Sequence, residues 1–177
     1  MNLPRALSFI PIGLLSFACF WLMSCGYGFA PQGEHIDRRI VNLYVAPVVN
    51  KTSEAEAENI LRTAFIDQIL QSNRFKSASS PEQADAIINA SIISITTGVL
   101  SYRNNILAAE ERMTITLEAS LREKDSGKII WSSPNVVGTA DYRLQDNVNP
   151  KPARQQALAK LAKDTAENTF NLMMSDF

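Results

Sequence analysis

The chain has very few of the residues on which most enzyme and metal chemistry depends. It has one histidine, His35, and two cysteines, Cys19 and Cys25, among 177 residues. Triad chemistry would need a base that only His35 can readily supply, and metal sites built on histidine and cysteine are excluded by count. HExxH, GxSxG and phosphate-binding glycine-loop motifs are missing as well. We therefore predict a protein that is not an enzyme and that uses no metal or cofactor.

Residues 1–24 have the layout of a secretory signal peptide. Arg5 supplies a positive charge near the amino terminus, and residues 6–23 are uncharged and mostly apolar. An uncleaved membrane anchor is the alternative. It is disfavoured because the run is at the low end for a membrane span and is interrupted by Pro11 and Gly13. The pattern therefore predicts that residues 1–24 are removed.

The end of this run, Leu22-Met23-Ser24-Cys25, resembles the lipobox of bacterial lipoproteins. The resemblance implies cleavage before Cys25 and lipid, including palmitate, on its sulfur and amino group. Several acyl chains on one residue anchor a protein stably to a membrane. By the same resemblance, Gly26 after the cysteine implies the outer membrane, with the protein on its periplasmic side. Simple secretion is the alternative.

The mature chain predicted in this way has 153 residues, with 16 basic and 18 acidic side chains. Near-neutrality gives no support to nucleic-acid binding, which normally shows a basic excess. Cys19 leaves with the signal peptide and Cys25 carries lipid, so no disulfide is expected. Residues 25–39, with three glycines and a proline, predict a lipidated amino terminus and a short tether. Residues 40–177 are then one domain with its own core.

Alternation of apolar and polar residues predicts five strands in that domain. The predicted strands are 40–49, 74–78, 86–102, 113–122 and 128–132. In the third strand, Ile88, Ala90 and Ile92 are expected on one face, and Ile87, Ile93 and Ile95 on the other. A tight hairpin at Asp125-Ser126-Gly127 is predicted between the last two strands.

Two segments have apolar residues at helical spacing. The first ends near Asn73, and Ser53 and Glu56 at its start have the spacing of a capping box. The second begins near Pro152, a good first helical residue. The resulting order is β-α-β-β-β-β-α. It predicts an α+β fold with two helices packed on one face of a mixed four- to five-stranded sheet, whose other face carries Thr, Ser, Asn and Glu.

Several blocks, taken in order, resemble the LPS-assembly lipoprotein family (LptE). They are CGYGFAP, IVNLYVAPVVNKT, ADAIINASIISITTGVLSYRNN, RMTITLEASLREKDSGKIIW and GTADYR, followed by an alanine-rich closing helix. The resemblance covers nearly the whole mature chain. It implies a non-enzymatic partner that plugs LptD, a large outer-membrane β-barrel, helps to assemble it, and contacts lipopolysaccharide on its way to the outer leaflet. Hydroxyl-rich strands suit that role because barrel interiors are polar.

Two other classes of lipoprotein share the opening strand and helix. The stretch YVAPVVNKTSEAEAENI also resembles lipoproteins that activate penicillin-binding proteins and curli-secretion-type lipoproteins. The activators tend to have long disordered tethers, whereas this tether is about fourteen residues, or at most roughly 50 Å when extended. A short tether favours a partner at the membrane. A soluble ligand-binding lipoprotein is a third alternative.

Basic residues near two turns are the candidate LPS-binding residues. Arg103 lies where the family tends to place a basic residue near lipopolysaccharide, and a guanidinium can pair bidentately with a phosphate. An exposed turn arginine without a role is the alternative. A second basic residue of the family has no counterpart at Pro134-Asn135. Lys124 and Lys128, which flank the neighbouring turn, are the candidate substitutes.

Arg103→Glu is expected to weaken binding to lipopolysaccharide, because a carboxylate would repel the phosphates of lipid A. The measurement is binding of the purified protein to purified lipopolysaccharide. Unchanged binding would remove Arg103 from the site.

Overall fold

A computed structural model describes residues 36–103, 107–145 and 148–175; the predicted signal peptide, Cys25 and His35 lie outside the described residues. The elements are β1 (Asn42–Val45), β2 (Val49–Asn50), α1 (Ala57–Gln71), β3 (Lys76–Ser77), a 3-10 turn (Pro81–Gln83), β4 (Ala86–Arg103), β5 (Leu107–Glu123), β6 (Ile129–Arg143) and α2 (Lys151–Ser175). Apart from the short β2, this is the predicted order, and the predicted α+β fold is confirmed.

The strands form one open, mixed sheet in the order β3-β1-β4-β5-β6, with β2 paired to β4. β1 is parallel to β3 and β4, whereas β4, β5 and β6 form a long antiparallel meander. The strand predicted at 40–49 is divided, because β1 ends at Val45 and β2 resumes at Val49. Pro47 lies in the gap, as expected for a residue without a backbone donor.

Both helices pack on one face of this sheet, as predicted. Met113, Ile115 and Leu117 alternate along β5 and are at most 2% exposed, and they join one core with Phe65 of α1 and Leu161 of α2. That core also contains Ile36, which precedes the predicted domain start at Ile40. Full burial of each such side chain stabilises the fold by about 1.5–3 kcal/mol.

A β-bulge in β4 keeps both halves of the strand in contact with the core. Ile92 lies opposite Leu117 and Ile95 opposite Ile115, so Ile93 is the extra residue. The expectation that Ile95 shares a face with Ile93 is therefore wrong: Ile95 packs against the core, while Ile93 is 38% exposed. One inserted residue reverses the facing of every residue after it.

The capping box predicted for the first helix is also wrong. α1 begins at Ala57, and Glu56 before it has a φ of 66° and makes no side-chain cap. The Asn50 side-chain amide organises this turn instead, donating to the Glu54 carbonyl oxygen and to the Glu58 carboxylate, both at 2.8 Å. The helix start is thus held by Asn50, at the end of β2, and not by a capping box of Ser53 and Glu56.

Gly138 allows β6 and α2 to approach closely. A Cβ atom at this position would lie 1.9 Å from Thr165 Oγ1 and 3.2 Å from Cγ2 of Ile115. Thr165 is fully buried, and its hydroxyl donates to the Leu161 carbonyl oxygen at 2.6 Å. The hydroxyl is satisfied within the helix and has no room for a neighbouring methyl group.

Gly138→Ala is expected to lower the free energy of unfolding by about 1–3 kcal/mol, because overpacking forces a backbone or rotamer shift. Urea unfolding measures the change. Gly98→Ala is the matched control, since a Cβ at Gly98 meets no atom within 4 Å in the described structure. Adding Thr165→Ala to Gly138→Ala should recover part of the loss. Equal unfolding midpoints for the two single variants would contradict the close contact.

Asp85 holds the start of β1 against the start of β4. Its Oδ2 accepts hydrogen bonds from the Val41 and Asn42 amides at 2.9 and 2.7 Å and from the Asn42 side chain at 3.1 Å. The two backbone donors lower the pKa of the Asp85 carboxyl below its ordinary value. An ionised Asp85 therefore favours the folded state.

Asp85→Ala is expected to lower the free energy of unfolding at pH 7 by about 1–3 kcal/mol, since three part-buried donors lose their charged acceptor. Because the folded pKa is depressed, this stabilisation is complete above the unfolded pKa of about 3.9 and is lost as pH falls through the folded pKa. Urea unfolding at neutral and acidic pH should therefore show the variant and the original chain converging in acid. Asp125→Ala, whose side chain is 90% exposed, is the control. A difference that does not change with pH would refute this role for the ionised carboxylate.

Candidate partner-binding face

The face of the sheet that the helices leave uncovered is rich in hydroxyl groups. Along β5, Thr114 and Thr116 alternate with buried residues, and β4 and β6 place further hydroxyls beside them. We call this the outer face; its hydroxyl residues are Ser91, Ser94, Thr96, Thr114, Thr116, Ser120, Ser132 and Thr139. Short hydroxyl side chains donate and accept hydrogen bonds, and they lose less conformational entropy on contact than Lys, Arg or Glu. The outer face is therefore suited to a polar partner surface.

Three exposed apolar residues cross the outer face. Val137 of β6 lies opposite Thr116 of β5, Ile93 is the bulged residue of β4, and Val49 lies on β2 beside β4. These three, the apolar ridge, are 46%, 38% and 53% exposed, respectively. Well-packed apolar contacts near the centre of an interface contribute most of its binding energy. The apolar ridge could therefore contribute much of the binding energy to a partner on this otherwise polar face.

Ion pairs lie on the outer face toward the β4–β5 hairpin. Arg112 of β5 donates to both carboxylate oxygens of Asp141 on β6, at 2.6 and 2.8 Å, and Arg143 donates to Glu110 at 2.7 Å. The hydrogen bonds from Arg112 hold the pKa of Asp141 below its ordinary value. Exposed pairs of this kind contribute little to stability. Their effect here is to pair each of the four charges with an opposite one. Without this pairing, this part of the outer face would favour a charged partner.

A polar cluster on the opposite side of the sheet fixes the start of α2. Arg154 donates to Glu54 at 2.5 Å and to Thr97 at 3.2 Å, which joins α2 to the turn before α1 and to β4. Tyr142 donates a hydrogen bond to Glu111. Burial and, secondly, this carboxylate raise the pKa of Tyr142. The cluster ties three elements together beneath the hairpin and so keeps the outer face rigid.

Residues 40–173 match the family model of LptE, described as lipopolysaccharide-assembly. The chain belongs to the LptE family. The resemblance seen in the sequence is thereby confirmed, and lipopolysaccharide assembly is the process in which this LptE protein takes part.

A solved structure with a TM-score above 0.5 shares the fold of this domain at low sequence identity, and two others match it with lower scores. Lipoprotein B from Nitrosomonas europaea is 16% identical, with a TM-score of 0.53 over 77% of this chain and 84% of that one. A protein from Xanthomonas campestris is 14% identical, with a TM-score of 0.49 over 73% and 84%. A minor lipoprotein from Acinetobacter baumannii is 12% identical, with a TM-score of 0.45 over 76% and 91%. A comparison with curated proteins gave no match.

The basic residues predicted to bind lipopolysaccharide lie at two ends of this LptE domain. Arg103 is the last residue of β4, at the hairpin, and its side chain is outside the described structure. Lys124 and Lys128 flank the β5–β6 turn, beside the first residue of β4, because Ala86 pairs with Glu123. The 18 residues of β4 separate the two ends, by about 55 Å at the usual rise per residue. Arg103 and the two lysines therefore do not form one site.

Lys124 is already engaged at its end of the sheet. Its Nζ donates to the Glu82 carbonyl oxygen at 3.1 Å and lies 3.6 Å from the Asp125 carboxylate. Lys128 is exposed. Among residues 36–103, 107–145 and 148–175, no group of three His, Cys, Asp or Glu side chains is placed to hold a metal ion. No helix in those ranges is both long and apolar enough to cross a membrane.

The sequence prediction missed the apolar ridge of the LptE outer face. Ile93 was expected on that face but without a role, and Val137 was not considered because the last strand was predicted to stop at Ser132. A signal was present: Val136-Val137 continues an uncharged run toward Ala140 and Asp141. That run extends the strand by alternation past Pro134.

Proposed function

We propose that this LptE-family chain is an outer-membrane lipoprotein, anchored through lipid on Cys25, that plugs an LptD-like β-barrel and helps to assemble it. The observation that carries the proposal is the outer face, a hydroxyl-rich sheet surface crossed by an apolar ridge. The lumen of a large outer-membrane barrel is polar. A plug needs a rigid body whose exposed side chains hydrogen-bond to such a wall, and one face covered by helices supplies the rigidity.

The proposal includes assistance in the delivery of lipopolysaccharide to the outer leaflet. Arg103 is the candidate contact for a lipid A phosphate. Leu100 and Tyr102 lie just before it on β4 and are 44% and 61% exposed. An arginine that follows exposed apolar residues in the sequence fits an amphiphile whose phosphates adjoin acyl chains. Lys124 and Lys128, at the other end of the domain, are proposed only as a separate anionic contact.

Extraction of the carboxy-terminally tagged chain from its outer membrane in mild detergent is expected to recover a large β-barrel protein at one-to-one stoichiometry, identified by mass spectrometry. Val137→Glu is expected to reduce that recovery at least about tenfold, because an unpaired carboxylate buried against a partner costs several kcal/mol. Leu70→Glu is the matched control, since Leu70 lies on α1 and is 66% exposed.

Three outcomes would count against the plug. Recovery of a cell-wall synthase would favour the activator class, and a ring of identical chains would favour the curli-secretion class. Equal barrel recovery with Val137→Glu and Leu70→Glu would remove the outer face from the interface.

A further inference from the structure

The two edges of the sheet differ in how well they are protected against pairing with another strand. On one side, β3 has only two residues and β1 only four. Beyond the reach of β3, Arg62 of α1 donates from Nε to the Val45 carbonyl oxygen at 3.1 Å, and its guanidinium lies 5.9 Å from the centroid of the Tyr44 ring. Short strands and a covering cation are the usual protections of an edge against pairing with another chain. The edge formed by β3 and β1 is therefore protected against pairing with another chain.

The other edge, β6, has 15 residues. The Leu144 amide just after it donates to the Ala109 carbonyl oxygen at 2.9 Å, and the register with β5 is unbroken from Val136 to Arg143. Because hydrogen bonding alternates along an antiparallel strand, the even-numbered residues bond to β5. The backbone N–H and C=O groups of Val137, Thr139 and Asp141 therefore point away from β5. In the described part of the chain, β6 is the outermost strand on that side.

β6 lacks most of the features that discourage pairing at an edge. No charged residue occurs from Ile129 to Ala140. Pro134 interrupts the first part of the strand, but the run from Val136 to Ala140 has neither charge nor proline. Asp141, the first charged residue of β6, already accepts a hydrogen bond from Arg112. A long, uncharged edge is a template for another strand.

The size of this edge indicates what can occupy it. Pairing from Val137 to Asp141 involves a short segment of one strand, about 17 Å long, whereas each side of a stable interface contributes roughly 20–30 residues. A second copy of this chain held by the edge alone would therefore bind weakly. Val137 and Thr139 also belong to the outer face, so a partner covering that face reaches the edge without a separate interface.

We propose that β6 accepts an extended, uncharged segment of the barrel partner as an additional strand. The inference rests on the proposed function, because it takes the partner of the outer face as the source of the segment. Main-chain hydrogen bonds from Val137, Thr139 and Asp141 would give the pairing its affinity, as in other cases of strand addition. The Val137 side chain would fix the register through its place in the apolar ridge.

Residue-resolved amide hydrogen exchange of the full chain, free and in the purified complex, tests the pairing directly. The amides of Val137, Thr139 and Asp141 are expected to exchange at least about tenfold more slowly in the complex. Gly138 and Ala140 are internal controls, because their amides already bond to β5 and should be protected in both samples.

A pair of variants isolates the backbone group. Thr139→Pro and Thr139→Ala both remove the hydroxyl, but only proline removes the amide donor. Since the Thr139 amide points away from β5, the β5–β6 ladder keeps its hydrogen bonds in both variants, which circular dichroism and thermal unfolding would verify. Thr139→Pro is expected to lose partner recovery about tenfold relative to Thr139→Ala. If Thr139→Pro fails to fold, the exchange measurement on the original chain still decides whether β6 pairs with the partner.

The outcomes separate this inference from the proposed function. If no barrel is recovered with the original chain, the proposed function fails. If the barrel is recovered but the three amides exchange as in the free chain, the edge pairing is overturned and the plug proposal stands. Protection that needs no partner and rises with the concentration of this chain would assign the edge to a second copy and overturn the partner assignment.

Discussion

The packing of both helices on one face of the β4–β5–β6 meander is the constraint on which the rest of the structure depends. With only one face covered, every large apolar side chain of the long strands must point to that face or remain in water. The bulge at Ile93 serves this requirement, because it returns Ile95 to the core after an irregular step. The same alternation places the hydroxyls of Thr114 and Thr116 together on the outer face. The core and the candidate binding face are thus two consequences of one packing arrangement.

Close packing of α2 also limits which surfaces of the domain are open to a partner. At Gly138, α2 approaches so closely that no side chain fits between Thr165 and the strand. Arg154 then fixes the start of α2 to Glu54 and Thr97. A sheet held on one side in this way cannot adapt much to a partner. Complementarity must therefore come from what the outer face and the β6 edge already present.

The parts of the fold that depend on local pattern were predictable, and the parts that depend on register were not. The alternation from Met113 to Leu121 predicted which residues of β5 are buried, because a strand with one covered face has a period of two. The facing of Ile95 was predicted wrongly, since a bulge is set by pairing with β5. The start of α1 was missed for a different reason: Ser53 and Glu56 have the spacing of a capping box, but Asn50, at the end of β2, supplies the hydrogen bonds.

The candidate site shows the same division between local pattern and pairing. The hydroxyls of β5 on the outer face follow from alternation, whereas Ser94 and Thr96 of β4 reach that face only because of the bulge at Ile93. The apolar ridge needs the extension of β6 through Val137. The grouping of Arg103 with Lys124 and Lys128 ignored strand length, although a run of apolar and hydroxyl residues from Ala86 to Tyr102 already implies that the two turns are far apart. Strand length, read as distance, would have separated them.

The distance between Arg103 and the two lysines predicts how the proposed plug is oriented across the membrane. The described chain enters the fold at Ile36, where the Arg74 side chain contacts the Ile36 carbonyl oxygen. Val41 and Asn42 follow beside Asp85, at the beginning of β4. The hairpin that carries Arg103 is about 55 Å away along β4, which exceeds the roughly 30 Å hydrocarbon thickness of a bilayer. In the proposed plug, a tether to lipid on Cys25 in the periplasmic leaflet would leave the entry end on the periplasmic side. A domain lying lengthwise in a barrel then extends its hairpin toward the opposite leaflet. In the proposed plug, Arg103 is therefore the candidate for a contact late in lipopolysaccharide transfer, and Lys124 and Lys128 are the candidates for one near its beginning.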